Sequence, residues 1–236
     1  MTRPSLRCTI TREPALVRGA RALRHRVFVA ERGAAEGSQQ GLEGGPADDG
    51  CDHAVVHDPE DPAAGPIATA RFHLGSCWTG REFDLSVLHA RGIRLAEIGR
   101  TCVHPDHRDG IAAMVLFAGV VGALRGMGAD AIVGAASFHG RDPTAHMDAL
   151  RALRAAALAP PEWRPVPRGP GAVRVEGHAP RLAMAGVPPL IKAYLRAGAW
   201  VGEGACVDAA FNVVDVCVVL DMARLHLPRG MEGARE

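Results

Sequence analysis

The chain has 236 residues, of which 47% are hydrophobic and 22% charged, with 27 basic and 26 acidic side chains for a formal net charge of +1. That much aliphatic character with so little net charge excludes a disordered chain. The charge balance argues against a dedicated nucleic-acid binder, which needs a net basic face. Aromatic residues make up only 4%, so a core must be built from Ala, Val, Leu and Ile, and Arg supplies nearly all the positive charge because Lys192 is the single lysine.

The N-terminal MTRPSLRCTITREP has no apolar stretch of the kind a secretory signal carries. The six cysteines (Cys8, Cys51, Cys77, Cys102, Cys206, Cys217) form no Cys-x-x-Cys pair and no Cys/His cluster. Reduced thiols, no metal and a cytoplasmic location are therefore expected. Leu16, Ala20, Leu23 and Val27 recur at helical spacing, which predicts a helix over 14–32 with Pro14 in its first turn and Gly33 as its stop. Residues 37–50, GSQQGLEGGPADDG, are Gly-rich and polar and read as a mobile loop. Strands are expected over 53–57 and 67–74, then a central strand over 93–103 that ends at His104-Pro105.

From Ile111 to Leu124 runs an uninterrupted apolar stretch of 14 residues, too short for the roughly 20 of a membrane span. It reads as a buried helix over 111–127, followed by a buried strand over 131–138. Asp142-Pro143 opens a helix bearing Met147, Leu150 and Leu153. The Pro- and Gly-rich 159–180 reads as an inserted loop, Pro188-Pro189 starts a helix closed by Gly198, the last strand covers 213–220, and 228–236 reads as a frayed tail. A strand–helix–strand unit over 93–138 demands a parallel pair joined by a crossover. The expectation is α/β: one domain over 1–236, with a mixed twisted sheet flanked by helices.

Arg24, Phe28 and Glu31 fall at i, i+4 and i+7, where a cation, a ring and a carboxylate could clamp an extended ligand or a carrier protein, or form a solvated face with one ion pair. Asp49 and Asp52, with His53 after them, could hold a cationic group, or simply make a turn. Arg71 lies within a strand on the face of Thr69, either at a water-facing edge or in a site. The sharpest local signal is Glu97-Ile98-Gly99-Arg100, because a central strand rarely carries two charges unless they are paired or functional. A bulge at Gly99 would bring residues 97 and 100 to one side. Tyr194, the only tyrosine, is either a proton donor or a core residue with one hydrogen bond.

Six segments in order resemble the GNAT acyltransferase superfamily, and more closely the bacterial L-ornithine Nα-acyltransferases: LRHRVFVAERG (23–33), CDHAVV (51–56), EFDLS (82–86), EIGRTCVHPDHRDG (97–110), GAASFHGRDPTAH (134–146) and PPLIKAYLRAGAWVGEGACVDAAFNVVDVCVVL (188–220). The resemblance runs from about Arg21 to Leu220. The charged set Arg24, Phe28, Asp49, Asp52, Arg71, Glu97 and Arg100 is also similar to that of the acyl-homoserine-lactone synthases, which share the fold. The usual GNAT phosphate loop, R/Q-x-x-G-x-G/A, is here the shorter Arg108-Asp109-Gly110-Ile111-Ala112-Ala113. Such a reduced cradle suits a phosphopantetheine donor on acyl carrier protein, with Val103, Arg108 and Gly110 as its contacts.

The resemblance implies transfer of a 3-hydroxyacyl group from acyl carrier protein to the α-amine of ornithine, giving lyso-ornithine lipid, with no cofactor beyond the donor's own phosphopantetheine. It implies Glu97 as the base, directly or through a water, and Tyr194 as the acid for the departing thiolate. Backbone N–H groups at Gly99 would hold the oxyanion, Asp49 and Asp52 the cationic acceptor, and Arg71 or Arg100 its carboxylate. The alternatives are an N-acyltransferase for another amine, including a homoserine-lactone synthase, or a non-catalytic acyl-binding domain. A lipid-like product suggests peripheral membrane contact through Trp163, Arg164 and Arg168.

Overall fold

The computed structural model describes residues 6–35, 38–75 and 78–226. The expected tail 228–236, Cys77 and the first residue of the 37–50 stretch lie outside them. The chain resolves into two compact units, one from Met1–His73 with Ile98–Met127 and one from Leu74–Glu97 with Gly128–Pro228.

In the first unit β1 (Arg7–Thr11), β2 (Asp52–His57) and β3 (Ala68–Leu74) are ordered β1-β2-β3, each pair antiparallel, with Cys8 opposite Val56 and His53 opposite Arg71. Beside β3 comes β4 (Leu95–Val103), which enters this unit at Ile98, and the His104 N–H donates to the Ile67 carbonyl at 2.8 Å. Helix α1 (Pro14–Arg24) begins with proline in its first turn and buries Ala20, Leu23 and Arg24. It passes directly into a π-helical segment, His25–Glu31. The sequence predicts one regular helix over 14–32, and the wider turn of the π segment (bonds from i to i+5) abolishes the i, i+4, i+7 stripe drawn for Arg24, Phe28 and Glu31. Arg24 points into the core, Phe28 is half-buried against Leu23, Val27 and Cys102, and Glu31 is exposed. Helix α2 (Ile111–Gly126) packs on β1 and β2 and buries Ala112, Leu116, Val120, Val121 and Leu124.

The second unit holds the first residues of β4 beside β5 (Ala131–His139), in parallel register from Leu95↔Ala131 to Glu97↔Val133. The strand–helix–strand expectation is thereby met. Next come α3 (Met147–Ala157), preceded by a 3-10 turn at Pro143–His146, and α4 (Pro189–Arg196). Two further strands, β6 (Ala205–Asp208) and β7 (Val213–Asp221), complete the sheet in the order β4-β5-β7-β6, with β7 antiparallel to both neighbours. Parallel and antiparallel pairs together make a mixed sheet flanked by helices, as expected.

Eight of the nine residues of β7 are buried, which marks a strand covered on both faces. The 159–180 stretch, expected as a loop, is stitched into this unit. Val166–Pro167 pairs with Phe83–Asp84 and Ala172–Val173 with β6. Phe83, Leu88, Leu95, Val133, Trp163 and Val219 share one apolar cluster.

Candidate active site

The first unit is organised around a buried ion network. Arg24, wholly buried, donates from Nη1 and Nη2 to the two Asp48 oxygens at 2.9 and 2.8 Å. Its Nη2 also reaches the Glu43 carbonyl at 2.9 Å, and its Nε lies 2.8 Å from the Glu43 carboxylate. Arg71 donates to Asp48 at 3.2 Å and Arg100 to Glu43 at 3.0 Å.

The 37–50 stretch, expected to be mobile, is therefore pinned along its described part. A hairpin of Ser38–Gln39 with Leu42–Glu43 and a 3-10 turn at Pro46–Asp48 carry the two acids to the arginines. Gly44 makes this possible. Its φ of +127° suits only glycine, and a Cβ there would run into the Asp48 carboxylate and the Arg24 guanidinium.

Sequence reasoning placed the acceptor-binding carboxylates at Asp49 and Asp52. In the structure Asp49 is exposed, while Asp52 is paired with Arg12 at 2.7 and 3.0 Å on the surface. Asp48, one residue earlier, enters the network instead. Burial alone would raise its carboxyl, but Arg24 and Arg71 outweigh burial and hold it down at about 2. His53 is buried beside them. Its imidazole is pushed below its ordinary value chiefly by burial, with the positive charges of Arg24 and Arg71 acting in the same direction.

Arg71 is buried rather than at a water-facing edge. Arg24, Arg71 and Arg100 thus converge on the carboxylates of Glu43 and Asp48. Arg100 is the most exposed of the three, with a third of its side chain accessible. It also has a φ of +54°, so the break in strand alternation expected at Gly99 falls on Arg100.

At the end of β4, Arg108 donates to the Val103 carbonyl at 3.3 Å and forms a bidentate pair with Glu31, both bonds 2.7 Å. Gly110 precedes α2 with φ +96°, and the Asp109 carboxylate accepts the Ile111 N–H at 3.0 Å. The residues expected to meet a donor phosphate are thus held in place by two carboxylates. Cys102 is sealed in the core, where burial pushes its thiol up to about 12, so it is no nucleophile at neutral pH.

In the second unit Glu97 is 5% exposed and is fixed by a turn the sequence gave no reason to single out. Its Oε1 accepts the Thr79 N–H at 2.9 Å and the Thr79 hydroxyl at 2.6 Å, and its Oε2 accepts the Trp78 N–H. Among the described residues Glu97 forms no ion pair. Tyr194 lies half-buried on α4, where its carbonyl accepts the Ala199 N–H at 3.0 Å.

Glu82, Asp208 and Asp215 bring carboxylate oxygens within 4.8 Å of one another, the one grouping among the described residues with the donor set of a metal site. Asp208 is already engaged as a turn cap, accepting the Ala210 and Phe211 N–H groups at 2.8 and 3.1 Å. Of the residues expected to face a membrane, Trp163, Arg164 and Arg168, only Arg168 is exposed. Trp163 is covered by the Arg91 guanidinium and packs on Trp200, and Arg164 donates to the Ala159 carbonyl at 2.7 Å. No helix among the described residues is long and apolar enough to cross a membrane.

Residues 23–118 match the Acetyltransferase (GNAT) domain family model. The chain is 37% identical over 228 residues to an L-ornithine N(alpha)-acyltransferase of Rhodobacter capsulatus, covering 90% of this chain and 88% of that relative. The chain belongs to the L-ornithine Nα-acyltransferase family. A second member, from Agrobacterium fabrum, is 35% identical over 94% of this chain and 82% of its own length. The crystal structure of the AHL synthase LasI superposes with a TM-score of 0.55 at 10% identity, over 93% of this chain and 91% of that one, which shows a shared fold. The protein is an acyltransferase.

Proposed function

We propose that this acyltransferase moves a 3-hydroxyacyl group from the phosphopantetheine of acyl carrier protein to the α-amine of L-ornithine, releasing a lyso-ornithine lipid. The observation that carries the acceptor is the 37% identity, over 90% of the chain, to a relative named for ornithine. The carrier-bound donor is supported by the short Arg108–Ala113 loop, whose Arg108 is already committed to Glu31.

The chemistry asks for few groups. The acceptor α-ammonium loses a proton, its nitrogen attacks the thioester carbonyl, and the carbon–sulfur bond breaks as the thiolate is protonated. Glu97 takes the first proton, directly or through a water, at the lone pair its Oε2 retains after bonding Trp78. Tyr194 supplies the proton to sulfur. Backbone N–H groups around Gly99 and Arg100, where the strand leaves its regular conformation, receive the oxyanion. The Arg100 guanidinium, a third of its side chain accessible, suits the acceptor carboxylate, and the exposed Asp49 suits its cationic side chain. Phe28 lines the path of the pantetheine and Val103 and Gly110 border it.

Purified protein incubated with 3-hydroxyhexadecanoyl carrier protein and a mixture of free amino acids should yield one new mass, that of acyl-ornithine. Glu97→Gln should lower turnover by at least about a hundredfold. A product on another amine sinks the ornithine assignment while keeping the reaction. Unchanged turnover in Glu97→Gln sinks the base.

The reading includes a soluble, cytoplasmic enzyme that touches the membrane where its product leaves. That contact is supported by Leu182, 88% exposed and held at φ +69° beside the exposed Arg181. Leu182→Asp should abolish co-sedimentation with anionic phospholipid vesicles, and unchanged binding rejects the contact.

A further inference from the structure

We infer that Thr79 is a positioning residue that sets the proton affinity of Glu97; this rests on Glu97 acting as the base. Glu97 has four lone-pair sites on its two oxygens. The Thr79 N–H and hydroxyl fill both sites on Oε1, and the Trp78 N–H fills one on Oε2. Among the described residues a single site is left, on Oε2, so the turn at Trp78–Arg81 selects which oxygen receives a proton.

The carboxylate is also unusual in what neutralises it. It is buried, yet among the described residues it is stabilised by neutral donors and by no cation. Burial favours the protonated form, and donors aimed at the oxygens favour the charged one. The balance between the two decides whether Glu97 is ionised and still basic enough to accept a proton from an ammonium. A full cationic partner would tip it toward an inert carboxylate, and bare burial toward a carboxyl that arrives already protonated.

Of the three donors among the described residues only the Thr79 hydroxyl belongs to a side chain, and its 2.6 Å bond has the length typical of a hydroxyl on a charged oxygen. Thr79 is itself 3% exposed, so no water replaces the hydroxyl without a rearrangement. It is the one donor of the set that a substitution can remove while the backbone turn stays.

The experiment is the pH dependence of kcat/KM with saturating carrier-bound donor. Thr79→Val keeps the branched shape and the backbone N–H but deletes the hydroxyl. The charged form of Glu97 then loses a donor and its proton affinity rises. The acid limb of the profile should move up by about one to two pH units, with activity regained on the alkaline side and KM for the donor unchanged. Thr79→Ser should keep the wild-type limb.

A uniform fall in kcat with an unmoved acid limb would overturn the proposal and leave Thr79 as packing. Thr79→Ala deletes the same hydroxyl with less bulk. If neither hydroxyl-less variant folds while Thr79→Ser does, the role is structural and the inference fails. If the wild-type acid limb persists in Glu97→Gln, the base assignment fails instead, and the two failures are told apart by which variant moves the limb.

Discussion

Asp48 and Glu97 are both carboxylates exposed by only a few per cent, and they are held by opposite kinds of partner. Asp48 is surrounded by guanidinium groups from Arg24 and Arg71, so its charge is cancelled by ions drawn from distant parts of the chain. Glu97 is met by neutral donors from two adjacent residues, and among the described residues no cation pairs with it. The first arrangement suits anchoring, because a cancelled charge has little to offer a substrate. The second suits chemistry, because a base must keep its charge and yet be able to give it up. Buried charge is therefore read by the kind of partner it has, and burial alone does not distinguish anchor from base.

Removing one member of the ion network should produce the largest effect. Arg24→Met strands Glu43 and Asp48 with fewer partners and is expected to cost about 3–5 kcal/mol of unfolding free energy, measured by urea denaturation. A loss below about 1 kcal/mol would mean that water enters the network freely and that its ions are not an anchor. The corresponding change at the other carboxylate should be milder. Glu97→Gln replaces one oxygen by an amide that cannot accept the backbone donor facing it, and about 1–2 kcal/mol is expected in the same denaturation series, despite the large fall in turnover.

The smallest and most diagnostic effect is a pH scan of stability. The lowered Asp48 contributes stability that is complete above its unfolded value of about 3.8 and is lost as pH falls through its folded value of about 2. The lowered His53 adds a separate loss that begins below about 6.5, where the unfolded chain takes up a proton that the buried imidazole resists. Stability should thus decline in two steps as pH falls. In Asp48→Asn the lower step should shrink while the upper one persists, as followed by thermal melts from about pH 1.5 to 8; persistence of both would remove Asp48 as the source of the lower one.

Some of this was legible in the sequence for physical reasons. The parallel β4–α2–β5 unit shows because an unbroken apolar run is bounded by Pro105, Gly110 and Gly128, and nothing but a buried helix suits such a stretch. Glu97 and Arg100 stand out because charge is conspicuous in an apolar strand. Glu43 and Asp48 were invisible for the opposite reason: in a Gly-rich polar stretch, acids look like solvated loop, and only the arginines waiting elsewhere give them a purpose. Thr79 escaped because a turn offers mostly main-chain donors, which every residue has. The π segment left no mark, since its widened turn moves side chains without changing which residues are apolar. The two-residue pairings at Val166–Pro167 and Ala172–Val173 are too short to generate any alternation at all.

Helix α2 has a consequence for synthesis. Its apolar run from Ile111 to Leu124 would be adhesive on a nascent chain, a target for chaperones or for other emerging copies. The strands it packs on, β1 and β2, are encoded before it. They have already left the ribosome when the helix emerges, so its binding surface can be waiting for it, and this apolar segment spends little time without cover.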